Sequence, residues 1–268
     1  MSLIDLPVLL AVFVLGTIIG SFLNVVILRH NTGLGLGGRS HCFACGHQLS
    51  AWELIPFFSF VFQRGACKHC RSRISAQYPL VELVSGIVFA LVWFEFPPTS
   101  PTHAVTTLIY LIASSLLIVM AVYDTRQKII PDSFVYSFDL LALISVFVGG
   151  ATWWHAPYYP TLLAGPVLAL PFALLWLVSK GNWMGLGDAK LVLGLAWLLG
   201  MNAGLNALIL AFWLGAIIGL AWMFMSFGRF KARLEIPFGP FLIATFFLVL
   251  FSHWLVFDIH TLLELFRL

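Results

Sequence analysis

The sequence predicts an all-α polytopic membrane protein, with eight transmembrane helices and one small cytoplasmic domain between the first and second helix. Two observations predict it. Apolar residues make up 61% of the 268 and charged residues 9%, whereas soluble domains carry about 25% charge. The apolar residues also fall in long unbroken runs rather than in alternation, which argues against a β-barrel. Mean hydropathy is +1.00. A net charge of +3 spread over so few ionic groups makes no basic field, so nucleic acid is not an expected partner and membrane lipid is.

The eight apolar runs are 6–28, 79–96, 104–123, 133–150, 161–179, 189–203, 205–227 and 238–257. A bilayer needs about 20 such residues per helix. The sixth run is short and lies close to the seventh. Residues 189–227 are long enough for two passes joined by a tight turn at 201–205; the alternative is one long tilted helix. The first run has no basic stretch before it and is long for a signal-peptide core, so it reads as a retained helix. Residues 260–268 read either as a short interfacial helix or as a tail.

Charge placement tests the count. With eight passes, one side receives Arg29, Arg39, Arg64, Lys68, Arg71, Arg73, Arg126, Lys128, Lys180, Lys190, Arg229, Lys231 and Arg233, leaving Arg267 opposite. The positive-inside rule makes that side cytoplasmic and puts both termini outside. Seven passes would carry Arg229, Lys231 and Arg233 out.

The chain then divides into a first helix (1–28), a polar insertion (29–78) and a seven-helix remainder (79–268). The insertion holds all four cysteines: Cys42, Cys45, Cys67 and Cys70. Two C-x2-C pairs separated by 21 residues can each hold a metal from one turn and close a tetrahedral structural zinc site. Two disulfides or a redox C-x-x-C are the alternatives, and a cytoplasmic loop is a reducing place for either. His41, His47 and His69 read as neighbours of the site rather than ligands. The run GLGLGG at 33–38 lacks the Lys-Ser/Thr ending of a phosphate loop and reads as a flexible connector.

Eleven acidic residues exist, so each can be weighed. Asp5, Glu53, Glu95, Glu235, Asp258 and Glu264 fall in loops or at helix ends. Glu82, Asp124, Asp132, Asp139 and Asp188 lie in or near the cytoplasmic half of the membrane, where a carboxylate is costly and suggests function or pairing. Asp132, after Pro131, reads as a helix N-cap; Asp139 either bonds within the bundle or faces a wet crevice. Asp124 ends one span and Asp188 opens another at similar depth, so they can converge across 64 residues of sequence. Two carboxyls in one site cannot both ionise easily, which is the aspartic-protease arrangement. Read bluntly, two such aspartates are also simply interfacial or capping groups.

Several segments together resemble the bacterial type IV prepilin peptidases, the bifunctional leader peptidase/N-methyltransferase family of GxGD-type membrane aspartic proteases. They are GSFLNVVILR at 20–29, the two C-x2-C pairs, QYPLVELVSG at 77–86, YDTRQKIIPD at 123–132 and GLGDAKL at 185–191. The resemblance implies that Asp124 and Asp188 are the catalytic pair and that the four cysteines hold zinc. It implies cleavage of a basic leader from prepilins or pseudopilins at the cytoplasmic face of the inner membrane. It further implies methylation of the new N-terminus with S-adenosylmethionine, for which no nucleotide loop is visible. Asn24, Glu82 and Lys190 are candidates for substrate contact or for structure. The chain departs from the family in the Gly-rich stretch before Cys42 and in lacking a proline after that cysteine. Two other functions compete. A proton or ion transporter would use Asp124, Asp139 and Asp188 as relays. A thiol redox protein would place the cysteines on the oxidising side.

Overall fold

The structure, a computed structural model, describes residues 5–33, 35–148, 158–225 and 236–253. Among them it is helical with no strand, only isolated bridges at His41–Gln48 and Ala66–Arg73. Eight α-helices follow in order: α1 (Asp5–Arg29), α2 (Phe58–Phe62), α3 (Gln77–Glu95), α4 (Pro101–Gln127), α5 (Asp132–Val148), α6 (Tyr158–Ser179), α7 (Leu186–Met225) and α8 (Gly239–Ser252). Among the described residues, five helical stretches are long and apolar enough to cross a membrane: Leu6–Arg29, Gln77–Glu95, Pro101–Gln127, Thr161–Ser179 and Leu186–Met225. The chain is therefore a multi-pass membrane protein. Helix α2, five residues long, belongs to the polar insertion. The expected tail at 260–268 lies outside the described residues.

Two compact units form: residues 1–99 with 110–119, and residues 100–109 with 120–268. In the first, α1 packs on α3. Small residues set the distance: a Cβ on Gly16 would stand 2.7 Å from the Phe89 Cβ, and one on Gly20 2.8 Å from the Glu82 Cα. Without a hydrophobic drive in lipid, such close backbone approach is what holds helices together. Asn24, fully buried, adds hydrogen bonds: its Nδ2 donates to the Tyr78 carbonyl at 3.3 Å and its Oδ1 accepts from Gln77 Nε2 at 3.2 Å. Gly20→Leu should push α1 off α3 and destabilise this unit by about 1–3 kcal/mol. A thermal scan in detergent reads the loss; an unchanged midpoint would contradict the contact.

In the second unit, α7 packs against α5, α6 and α8. Pro166 and Pro171 lie inside α6, tolerable where neighbouring helices meet the freed carbonyls. Helix α7 spans 40 residues, roughly 60 Å if straight, twice a hydrocarbon core. It is not straight. Gly200 breaks it with φ 79° and ψ 179°, a left-handed φ that favours glycine. Beyond the break a Cβ on Gly204 would stand 3.5 Å from the Ala196 Cα, so limbs 186–199 and 201–225 fold back on each other. The turn expected at 201–205 is at Gly200 instead. Gly204 sits within the second limb, where a Cβ would stand 2.9 Å from Leu168 Cδ1, so its missing side chain makes room for α6. Helix α8 ends at Ser252, with His253 left-handed (φ 51°) as its cap; the last part of the eighth run, 254–257, lies outside the described residues.

Candidate active site and metal centre

Asp124 stands in the last turn of α4. The helix is closed by Lys128, left-handed at φ 57°, whose N–H donates to the Asp124 carbonyl at 2.7 Å. Asp188 stands in the first turn of α7, and its N–H donates to the Gly185 carbonyl at 3.3 Å. That helix end favours a carboxylate through its partial positive charge. The Asp124 side chain is buried, and its Oδ2 accepts the Gly239 N–H at 3.1 Å.

Ile130 gathers the three helix ends. A Cβ on Gly187 would stand 3.1 Å from the Ile130 Cβ. A Cβ on Gly239 would stand 3.3 Å from Ile130 Cδ1 and 2.7 Å from Asp124 Oδ2. The side chain is thus gripped between the start of α7 and the start of α8, just after α4 has delivered Asp124. Asp188 follows Gly187 directly, so both acidic residues stand at this junction. Two acids so placed, with backbone beside them bare of side chains, can hold water and admit an extended peptide.

The other membrane-level acids do different things. Asp132 does not serve as a simple cap. It lies in the first turn of α5, and its Oδ1 accepts Lys190 Nζ at 2.7 Å while Lys190 sits 4.6 Å over the Tyr136 ring. This clamp ties α5 to the α7 turn that carries Asp188. Asp139 is buried against Gly194, where a Cβ would stand 2.5 Å from its Oδ1, and among the described residues that oxygen has no hydrogen-bond partner. Gly194 is six residues beyond Asp188, roughly 9 Å further along the helix axis. Glu82 accepts the Phe57 N–H at 2.8 Å. Lys190, Asn24 and Glu82 therefore all have structural partners inside the chain.

The four cysteines come together in the first unit. One ligand atom from each lies within 4.8 Å of every other. The Cys42 and Cys70 sulfurs are 3.8 Å apart, the edge of a tetrahedron with bonds of about 2.3 Å, as zinc thiolates have. A disulfide would need about 2.05 Å, and all four are free thiols. Two turns of the same form present them. The Cys42 N–H bonds the His47 carbonyl at 2.9 Å and the Gly46 N–H bonds the Cys42 carbonyl at 2.9 Å. In the second turn the Cys67 N–H bonds the Ser72 carbonyl at 2.9 Å and the Arg71 N–H bonds the Cys67 carbonyl at 3.0 Å. Gly46 and Arg71, at matching positions, are both left-handed at 71° and 61°.

The Ser72 hydroxyl lies 3.6 Å from Cys42 Sγ and 3.1 Å from Cys70 Sγ. It is the chief reason both thiols are lowered, Cys42 to about 6. His47 and His69 stack on each other at 5.0 Å and are not in the sulfur cluster. Beside them the Ser50 N–H and hydroxyl hold the Glu53 carboxyl below the usual range.

Two stretches of the chain match family models: residues 14–96 the bacterial peptidase A24 N-terminal domain, and residues 111–220 the type IV leader peptidase family. The chain is 32% identical to a prepilin leader peptidase/N-methyltransferase of Burkholderia pseudomallei (strain 1026b) over 262 residues, 86% of this chain and 81% of that one. The chain belongs to the type IV leader peptidase family. Other members are the prepilin leader peptidase/N-methyltransferases of Xanthomonas campestris pv. campestris, at 32% identity with 88% of each chain covered, and of Bacillus subtilis, at 31% with 85% and 88% covered. No solved structure matches the chain. The leader peptidase model covers Asp124 and Asp188; the N-terminal model covers the cysteines and Glu82.

Sequence reasoning missed Gly239 in this leader peptidase. The signal was present as Pro237-Phe238-Gly239-Pro240, a rigid turn opening an apolar run, but nothing in it points to a partner 115 residues away. Gly239→Ala should displace Asp124, because the new methyl group and Oδ2 cannot share the space. A shift near 1 Å costs roughly 100-fold in rate. Steady-state prepilin cleavage reads the effect, and wild-type turnover would contradict the contact.

Proposed function

We propose that the chain removes the basic leader of type IV prepilins or pseudopilins at the cytoplasmic face of the inner membrane, with Asp124 and Asp188 as its catalytic pair. It then methylates the new N-terminus with S-adenosylmethionine. The observation that supports the peptidase reading is that the Asp124 carboxylate lies at Gly239 and the α7 turn bearing Asp188 includes Gly187, with Ile130 between the two. The names of the relatives supply the substrate and the second activity.

Two carboxyls in one site keep one proton between them. The ionised carboxylate takes a proton from water as its oxygen attacks the scissile carbonyl carbon. The other carboxyl donates its proton to the carbonyl oxygen. Collapse of the tetrahedral adduct returns that electron pair, breaks the C–N bond and hands a proton to the leaving amine. The Gly239 N–H fixes Asp124, and the Lys190–Asp132 clamp fixes the α7 turn around Asp188.

The same reading keeps eight passes, the two limbs of α7 crossing separately, since their fold-back at Gly200 supports two spans. The basic loops then lie inside and both termini outside. Residues 29–78 form a cytoplasmic domain around structural zinc held by Cys42, Cys45, Cys67 and Cys70, and residues 79–268 form the peptidase. The donor set fits zinc: four sulfurs at tetrahedral spacing in a reducing compartment. Zinc there would hold the domain's fold and take no part in cleavage.

The purified chain, incubated with a prepilin in detergent, should release the leader. With S-adenosylmethionine added, the mature product should gain one methyl group at its N-terminus by mass spectrometry. An intact prepilin would defeat the reading, and transport of ions across vesicles carrying the chain would favour the transporter.

A further inference from the structure

The insertion between α1 and α3 is apolar in its middle. Residues 54–63 read LIPFFSFVFQ, a run without a charge. Its side chains find little protein to pack on. Phe58, Val61 and Phe62 are exposed, Phe62 by 82%, and Trp52 just before the run is exposed by 78%. A surface in water rarely carries so many large apolar groups together, so this face calls for another neighbour.

The run does not sit at the ends of the membrane helices. The Phe57 N–H donates to Glu82 Oε2 at 2.8 Å, and Glu82 lies against Gly20, where a Cβ would stand 2.8 Å from the Glu82 Cα. Gly20 is nine residues before the end of α1 at Arg29, roughly 14 Å along the axis, close to half a hydrocarbon core. Residues 55–58 also share a cavity of about 480 Å³ with Phe13, Val14, Thr17 and Ile18 of α1. Those four lie in the middle of a 25-residue helix that is long and apolar enough to span. The backbone there suits a place without water. Phe57 is left-handed at φ 61°, an uncommon state for a bulky residue, and Glu82, buried at that depth, is the acceptor its N–H meets. The Ser59, Val61 and Gln63 N–H groups go to the Ile55, Phe57 and Ser59 carbonyls at 3.0, 3.2 and 2.9 Å, and Pro56 has no N–H to satisfy. Irregular backbone at membrane depth is tolerated only where protein meets its polar groups.

We propose that residues 54–63 form a re-entrant loop whose exposed face, Phe58, Val61 and Phe62, lies among lipid acyl chains. The leaflet is the one in which α1 ends at Arg29, the inner one in the proposed topology. Through the shared cavity this face adjoins Val14 and Ile18 of α1, both exposed, which a spanning helix turns to lipid. Trp52 belongs with the headgroups, where tryptophan is enriched. Arg64, Lys68 and Arg71 follow the run directly and are exposed, the charge that an anionic leaflet attracts. The tetracysteine turns are thereby held to the membrane surface by lipid as well as by the chain. Residues 29–78 are then not wholly cytoplasmic, a step beyond the leader-peptidase reading that does not depend on it.

The test uses the full chain in vesicles of phosphatidylcholine and phosphatidylglycerol, with a tracer phosphatidylcholine carrying a diazirine in its acyl chain. After irradiation, peptide mapping should find lipid adducts on residues 54–63 as well as on 14–22 of α1. Adducts on α1 with none on 54–63 overturn the proposal. A cross-link from 54–63 to a second copy or to added prepilin, in place of the lipid adducts, shows protein on this face and overturns it too. Phe58→Asp with Phe62→Asp should lower the adducts on 54–63 about tenfold or more, because a carboxylate is costly in hydrocarbon, while α1 is labelled as before. Adducts at the wild-type level in that variant overturn the assigned face. Cleavage is not read in any arm, so the peptidase reading stands or falls separately.

Discussion

Asp124→Asn and Asp188→Asn each lower prepilin cleavage by roughly 100- to 10,000-fold, the usual worth of a positioned acid or base. The two losses should not multiply in the double variant, because in the proposed mechanism the pair acts as one unit. Asparagine preserves shape. In the Asp124→Asn variant the carboxamide oxygen can still accept the Gly239 N–H that Asp124 Oδ2 accepts at 3.1 Å, so the packing around Ile130 survives. Zinc content and thermal midpoint should therefore stay at wild-type values, which separates lost chemistry from lost fold. Methylation of a synthetic, already cleaved pilin N-terminus should continue in both variants. Cleavage at the wild-type rate by either one removes that residue from the mechanism.

On the proposed zinc site, Cys42→Ser with Cys45→Ser should take the chain from one bound zinc to none. The consequence for folding is large because the polar insertion has so little else. Its 3-10 turn at Ala51–Leu54 and α2 bury nothing. Among the described residues from 31 to 76, Cys67, itself one of the four clustered sulfurs, is the one buried side chain. A domain without a core takes its stability from its metal. Limited proteolysis should then cut the variant freely within 29–78 while the membrane helices stay intact. Zinc measured by emission spectroscopy at one equivalent in the variant would refute the ligand set, and a protected domain without zinc would refute the metal's structural role.

What could be read from the sequence follows from which signals are local. Apolar runs and C-x2-C spacings are local, and they located the long helices and the four sulfurs. The fold-back of α7 was half legible: length demanded a turn, but Gly200 and Gly204 lie close together, and only packing distinguishes the glycine that turns from the one that makes room for Leu168 of α6. Asp132 next to Pro131 looked like a cap because capping is decided locally, while its actual partner, Lys190, comes from another helix. The Gly-rich run looked loose for the same reason, since what restrains it is the Arg29 side chain, whose Nη1 donates to the Gly35 and Gly37 carbonyls at 2.8 and 2.6 Å. Gly239 was illegible because its function lies in a hydrogen bond spanning 115 positions. Asp124 and Asp188 were among five acids that membrane depth made conspicuous, and the resemblance of their two motifs, not cost, singled out the pair as candidates.

The meeting of those two acids is tested most directly by Asp124→Cys with Asp188→Cys in one chain, held in membranes and treated with a mild oxidant. The account predicts a 124–188 cross-link, identified as a linked peptide pair by mass spectrometry and reversed by reductant. Two thiols that both react with a small alkylating agent, yet never join to each other or through a short bifunctional linker, would contradict it.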